Sequence, residues 1–296
     1  MHISRRKVIG ALSILLTSGP AIAAGQWWPP ITDPPTGQHH PGRWVWAELL
    51  TRDVGTAAEF YGRVFGWTFE TFGPADDLMT YTVVSSGGVP IAGMVFIDRP
   101  DASPARDARW VGLMSVPDVD AAARQVDKAG GRTLVAPGKL GERGRAAVFA
   151  DPEGAVFGVI HSATGDPEDG IGAENQWLWI ELWADDPAKM ASFYQPLGGY
   201  EVIQGAVPGE ISGVHLTRDG APRAGILHKP APVPSTWLPY IRVASVPDTV
   251  ARAQAAGGKV VIEPMRARGT NVALILDPTG APIAIAEWSR SGEVAK

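Results

Sequence analysis

Cysteine is absent from the 296 residues, which excludes disulfides, thiolate nucleophiles and thiolate metal sites and leaves packing to hold the fold. Past residue 24 there is no basic run. The formal net charge is −5, and removing the three positive charges of Arg5, Arg6 and Lys7 takes it to −8. An acidic body of this kind lacks the electrostatic footprint of a nucleic-acid partner. The sequence also lacks a membrane span, because the apolar run Val8 to Thr17 is well short of the roughly 20 residues that cross a bilayer. With 45% hydrophobic residues and a mean hydropathy of zero, the composition is that of a globular chain with enough apolar material for two cores.

What is present begins with an export signal over residues 1–24. Arg5, Arg6 and Lys7 precede the apolar run, and Ala21-Ile22-Ala23 supplies a small-x-small cleavage site. Paired arginines ahead of Val8 and Ile9 match the twin-arginine pattern, whose cargo crosses already folded; a general secretory signal is the alternative, and both lead out of the cytoplasm, to the periplasm or beyond. Residues 25–43 carry Pro29, Pro30, Pro34, Pro35 and Pro41 without periodicity and read as an extended tether. His39 and His40 in it are expected to be solvated, since adjacent side chains diverge and make a poor metal site.

The rest of the chain is organised around one stretch, Trp44-Val45-Trp46-Ala47-Glu48-Leu49, that returns as Trp177-Leu178-Trp179-Ile180-Glu181-Leu182. Asp53, Phe60, Tyr61 and Gly66 recur in step as Asp186, Phe193, Tyr194 and Gly199. Strand alternation puts Trp46 with Glu48, and Trp179 with Glu181, on one face. Each strand leads to a helix, with Thr56 and Glu59 at capping-box spacing in the first copy and Asp186-Pro187 as N-cap and N1 in the second. A further unit starts at Trp110 and is mirrored from Trp237. It contains the paired glycines Gly130-Gly131 and Gly257-Gly258 and the turns Asp151-Pro152-Glu153-Gly154 and Asp277-Pro278-Thr279-Gly280. The order strand, helix, three strands therefore occurs four times, in an α+β protein with domains at 44–161 and 177–289, a polar linker at 162–176 and a tail at 290–296.

Four βαβββ modules with W-x-E-L-x-x-x-D, F-Y-x-x-x-x-G and D-P-x-G-A motifs resemble the vicinal oxygen chelate superfamily of glyoxalases, bleomycin-resistance proteins and extradiol dioxygenases. The resemblance implies two glyoxalase-like domains, each a curved mixed sheet around a cavity. It also implies a divalent metal held from first and last strands of the modules. In this sequence those positions are Trp46, Val111, Trp179, Leu238, Gly158 and Ala284, none of which ligates a metal. No cofactor is therefore expected.

The candidate catalytic residues are Glu48 and Glu181, two positions after the lost ligands and facing the cavities, where indole neighbours would desolvate a carboxyl and raise its pKa. Against that stands a packing role, in which each carboxylate bonds a Tyr or Arg of the partner module. Trp46, Trp179, Tyr81, His161, His215 and Glu287 are candidate ligand contacts, and Trp110 and Trp237 could stack on a flat ligand. Two functions remain open: a metal-free binding module for a small organic molecule, or a glyoxalase, lyase or dioxygenase-type enzyme using the glutamates, with a metal recruited through Glu48, His215 or Glu287.

Overall fold

A computed structural model describes residues 28–73, 80–97, 108–205, 213–267 and 269–288; the export signal and the tail lie outside them. The first module runs β1 (Trp44–Thr51), α1 (Val54–Phe65), β2 (Thr68–Phe72), β3 (Tyr81–Ser86) and β4 (Val89–Phe96). The second runs β5 (Arg109–Ser115), α2 (Val119–Lys128), β6 (Arg132–Leu140), β7 (Gly144–Ala150) and β8 (Val156–Ser162). The third and fourth repeat the plan as β9 (Trp177–Ala184), α3 (Pro187–Gly198), β10 (Glu201–Gly205), β11 (Gly213–Arg218) and β12 (Ala221–His228), then β13 (Thr236–Val243), α4 (Val246–Ala255), β14 (Lys259–Ala267), β15 (Thr270–Leu276) and β16 (Pro282–Glu287).

Two sheets of eight strands result, in the orders β2-β3-β4-β1-β5-β8-β7-β6 and β10-β11-β12-β9-β13-β16-β15-β14. In each, the first strands of two modules pair antiparallel at the centre, and each takes the last strand of its own module as a parallel neighbour. The α+β architecture of paired modules is as the repeats predict. One capping detail differs. Thr56 is not the N-cap of α1; Asp53 is, accepting from the Thr56 N–H at 2.9 Å, because a carboxylate one step before the helix reaches the open N–H groups that Thr56, already inside the first turn, cannot.

Alternation along each central strand decides which core each residue joins. Ala47 and Leu49 of β1 meet the helix side, in a core shared with the fourth module. Ile180 and Leu182 of β9 do the same with the second module. The helix layers of the two domains thus pack against each other crosswise, first module on fourth and second on third.

That crossing explains the repeated motifs. Tyr194 of the F-Y pair donates to Asp151 of the other domain's D-P-x-G turn at 3.0 Å and accepts from Trp237 at 2.8 Å. Its counterpart Tyr61 accepts from Trp110 at 2.8 Å and faces Asp277. A Cβ on Gly131 would lie 3.2 Å from the Phe193 ring, and one on Gly258 2.6 Å from Phe60, so the glycines clear room for the partner domain's phenylalanine. Trp110 and Trp237 are consequently wedged between domains and unavailable to a ligand, which corrects the expectation that they stack on one.

The proline-rich stretch also departs from its expected role. It is extended, as proline dictates, yet residues 28–42 are fastened to the first domain rather than standing off it as a tether. Gly37 N–H donates to Thr164 O, Asp166 N–H to Gln38 O, and His40 N–H to the buried Asp166 carboxylate. His39 stacks on His161 with ring centroids 4.5 Å apart. Backbone groups that prolines leave unpaired locally are satisfied here by the segment after β8.

Candidate functional site

The concave faces of the two sheets carry the repeated glutamates, and the same strand pattern builds two different sites. On the first face, Trp46, Glu48 and Tyr81 converge. Glu48 accepts from the Trp46 indole at 2.9 Å and from the Tyr81 hydroxyl at 2.9 Å. Arg143, from the turn between β6 and β7, reaches it with Nη1 at 2.7 Å. That arginine is 0% exposed. Its guanidinium lies 4.6 to 5.2 Å from the ring centroids of Tyr81, Trp46 and Trp28, within the range of cation–π attraction. Its Nε donates to Pro29 O at 3.0 Å. Trp28 and Ile31 complete the cluster and bury the whole face. Burial pushes the Glu48 carboxyl up to about 7, against the pull of Arg143 and of the hydrogen bonds from Tyr81 and Trp46.

The second face has the carboxylate without the lid. Glu181 is buried and accepts from the Trp183 indole and the Tyr240 hydroxyl, each at 3.2 Å. Strand pairing aligns Gly93 beside Glu48 with Gly225 beside Glu181. It then matches Val83 to His215, and Tyr81 to Gly213. The tyrosine that fills the first face is therefore a glycine in the second. A Cβ on Gly93 would fall 1.7 Å from the Tyr81 hydroxyl, whereas one on Gly225 would meet nothing nearer than the Trp179 indole nitrogen at 3.4 Å.

Trp179, Trp183, Tyr240 and His215 are only part-buried, with the Trp179 and His215 ring centroids 6.5 Å apart. The Trp179 N–H is buried with no hydrogen-bond partner among the described residues. Ile203, paired with His215, and Met265, paired with Val272, stand at the edge strands 51% and 50% exposed. Apolar side chains left open around a carboxylate and three aromatic rings form the kind of surface that small organic molecules occupy.

Comparison with known proteins agrees with this architecture. Residues 43–159 match the Glyoxalase/Bleomycin resistance protein/Dioxygenase superfamily model, and residues 179–286 match a Glyoxalase-like domain model. Anthracycline biosynthesis protein DauV of Streptomyces sp. (strain C5) is 32% identical over 259 residues, 83% of this chain and 94% of that protein. The chain belongs to the glyoxalase/bleomycin resistance/dioxygenase superfamily. A putative glyoxylase, CFP32 of Mycobacterium bovis, is 27% identical over 84% of this chain and 95% of its own. Among solved structures, the Mn(II)-bound glyoxalase of Novosphingobium aromaticivorans shares the fold with a TM-score of 0.55 at 18% identity, over 84% of this chain and 82% of that one. Homoprotocatechuate 2,3-dioxygenase of Brevibacterium fuscum, in complex with 3,4-dihydroxyphenylacetate, does so with 0.58 at 15% identity, over 87% and 84%.

The superfamily's metal does not fit the residues present. The positions matching its ligands are carbon-only or indole side chains, and Val111 and Leu238 simply pair with Glu48 and Glu181 across the central strands. Among the described residues no three His, Asp or Glu side chains come together as a ligand set. The trio of Glu48, His215 and Glu287 is separated by the fold: the first is closed into one domain, the second lies on the other concave face, and the third caps a helix. Glu287 accepts from Val246 N–H at 2.9 Å and from Asn271 at 2.7 Å, on the face opposite Ala284 and Ala286. His161 likewise faces away from Glu48, its Nδ1 3.1 Å from Val116 O. Neither joins a concave face, because each is one residue out of step with the positions that do.

Trp183 and Tyr240 were not singled out by the sequence reading. Both were within reach of it, since Trp183 lies two residues beyond Glu181 and Tyr240 two beyond Leu238 on the same strand faces. Arg143 and Trp28 carry no such signal, sitting in a turn and in an aperiodic segment.

Proposed function

We propose that the protein binds a small, flat organic molecule on the concave face of its second domain, with Trp179 and Trp183 supplying stacking surface and Glu181 accepting a hydrogen bond from a ligand hydroxyl. The observation that carries this reading is the asymmetry between the domains: one face is closed by Arg143 and Trp28, while its counterpart leaves Trp179, Trp183 and Tyr240 part-open around the buried Glu181. The name of the Streptomyces relative points to the ligand class, because anthracyclines are planar fused-ring aromatics bearing phenolic hydroxyls. Glu48, in this reading, holds the packing of the first domain and takes no part in binding.

A fluorescence titration with a hydroxyanthraquinone tests the assignment. Trp179→Ala should weaken binding about tenfold or more, the equivalent of one lost aromatic contact, and Glu181→Gln should weaken hydroxylated probes more than unsubstituted anthraquinone. Tyr81→Phe in the first domain should leave both unchanged. Equal losses from Tyr81→Phe and Trp179→Ala, or none from either, would remove the second domain from consideration. An enzymatic reading rests on the same face, where Glu181 and the Tyr240 hydroxyl at 3.2 Å form a pair able to take and return a proton. Substrate turnover abolished by Glu181→Gln at unchanged affinity would distinguish it from binding alone.

Export is part of the proposal. Arg5 and Arg6 ahead of the apolar run support the twin-arginine route, and replacing both with lysine should hold the protein in the cytoplasm. Unaltered secretion of that variant would leave the general secretory route.

A further inference from the structure

The strap of residues 28–42 does more than fasten the chain. We propose that it is a built-in occupant of a second binding site: the first domain's concave face takes a planar aromatic molecule bearing a carbonyl oxygen, and Trp28 sits where that molecule would.

Three observations carry this. Trp28 lies as a ligand would lie, its ring centroid 4.3 Å from that of Tyr81 and 5.2 Å from the Arg143 guanidinium carbon. It is held in a wall of Trp46, Tyr81 and Leu113 that the sheet supplies. Second, the strap lies ahead of the stretch matching the superfamily, which begins at residue 43, and it contributes no strand to the sheet. The sheet's own share of the wall, Trp46, Tyr81 and Leu113, comes from strands that the strap does not join. Third, Arg143 has a donor to spare. Nη1 is taken by Glu48 and Tyr81 and Nε by Pro29 O, but Nη2 is buried with no hydrogen-bond partner among the described residues, although the side chain is 0% exposed. A buried guanidinium N–H without an acceptor is costly. Indole cannot satisfy it, having no acceptor oxygen, whereas a carbonyl on an aromatic ring in the same place can. Glu48 already balances the charge of Arg143, so the recognised group is a neutral oxygen rather than an anion.

The strap is fastened chiefly beyond Trp28, through Thr32 to Thr164, Gly37 to Thr164 and Gln38 to Asp166. The Trp28 side chain can therefore be altered while these contacts, and the Pro29 carbonyl that accepts from Arg143, stay in place. Trp28→Ala in the full chain should create a site of one-to-one stoichiometry for indole-3-carboxaldehyde, with affinity at least tenfold above the unaltered protein by calorimetry. Indole itself, lacking the oxygen, should bind about fivefold to tenfold more weakly, the worth of one hydrogen bond. Adding Arg143→Lys keeps the charge opposite Glu48 but removes the spare donor, and should erase the preference for the aldehyde. Adding Trp179→Ala instead should leave this site intact, so a failure of the second-domain reading would not be mistaken for a failure of this one.

A folded Trp28→Ala protein that gains no site, or one that takes indole and the aldehyde equally, would overturn the proposal. Should Trp28→Ala fail to fold, Trp28→Leu retains part of the apolar contact. A folded Trp28→Leu protein should bind the aldehyde in preference to indole, and the absence of that preference would overturn the proposal equally.

Discussion

Arg143→Met is expected to destabilise the protein by about 3 to 5 kcal/mol at pH 8, the usual cost of removing one partner from a buried ion pair. The guanidinium meets Glu48 at 2.7 Å, donates to Pro29 O, and lies against three aromatic rings, so methionine of similar length restores some packing and none of the polar contacts. The loss should depend on pH. Glu48 is raised to about 7 in the folded protein from an ordinary 4.5, with burial dominant and Arg143 opposing it. A carboxyl that holds its proton more tightly folded than unfolded contributes most below the unfolded value, and that contribution disappears as pH rises through the folded one. In the unaltered protein this contribution amounts to about 3 kcal/mol, lost between pH 4.5 and 7.

Without the arginine the Glu48 pKa moves higher still, and the decline continues into alkaline solution. Urea denaturation at pH 5, 7 and 9 reads both effects. The double variant Arg143→Met with Glu48→Gln should recover stability at pH 9 and lose the Glu48 pH dependence, since a neutral amide can still accept from Tyr81 and Trp46. A loss under 1 kcal/mol at every pH would mean that the cluster does not close the first domain as described.

Gly93→Ala and Gly225→Ala should differ sharply although they are the same substitution at matching positions of the two sheets. The alanine methyl at 93 would stand 1.7 Å from the Tyr81 hydroxyl and 2.4 Å from a Glu48 oxygen. Tyr81 must leave, and the Glu48 cluster with it, at a cost of about 3 kcal/mol, at the upper end of overpacking penalties. At 225 the nearest atom is 3.4 Å away, an ordinary contact, and the effect should stay within about 0.5 kcal/mol. Thermal melts of the two variants side by side test whether the second face has the room that the first lacks. Similar losses from both would show that it does not.

Much of this architecture was written in local pattern. The period-2 alternation of Trp44 to Leu49 and of Trp177 to Leu182 was enough to put each glutamate on the concave face with its neighbouring indole, because a strand allows its side chains only two directions. The four-module order followed from repeated caps, paired glycines and Asp-Pro turns, each of which acts on its own backbone. The absence of ligating side chains at the superfamily's metal positions was likewise visible residue by residue. His161 and Glu287 turn to the opposite face, bonding Val116 O and Val246 N–H, which a strand-end position does not by itself reveal. The F-Y, Gly-Gly and Asp-Pro motifs were recognisable as markers of the fold, but their partners were not: Tyr61 faces Asp277, 216 positions away.

The asymmetry between the two domains belongs to tertiary structure alone. Glu48 and Glu181 sit in nearly identical sequences, yet one is paired with an arginine 95 positions downstream and covered by Trp28 from a segment without periodicity, while the other meets Trp183 and Tyr240 on a more open face. Sequence by itself determined the strand faces and the four modules, both of which depend on neighbours along the chain. Which face is closed over its carboxylate and which stays more open was decided by a turn and a strap arriving from elsewhere, since a buried charge takes its character from whatever the fold brings against it.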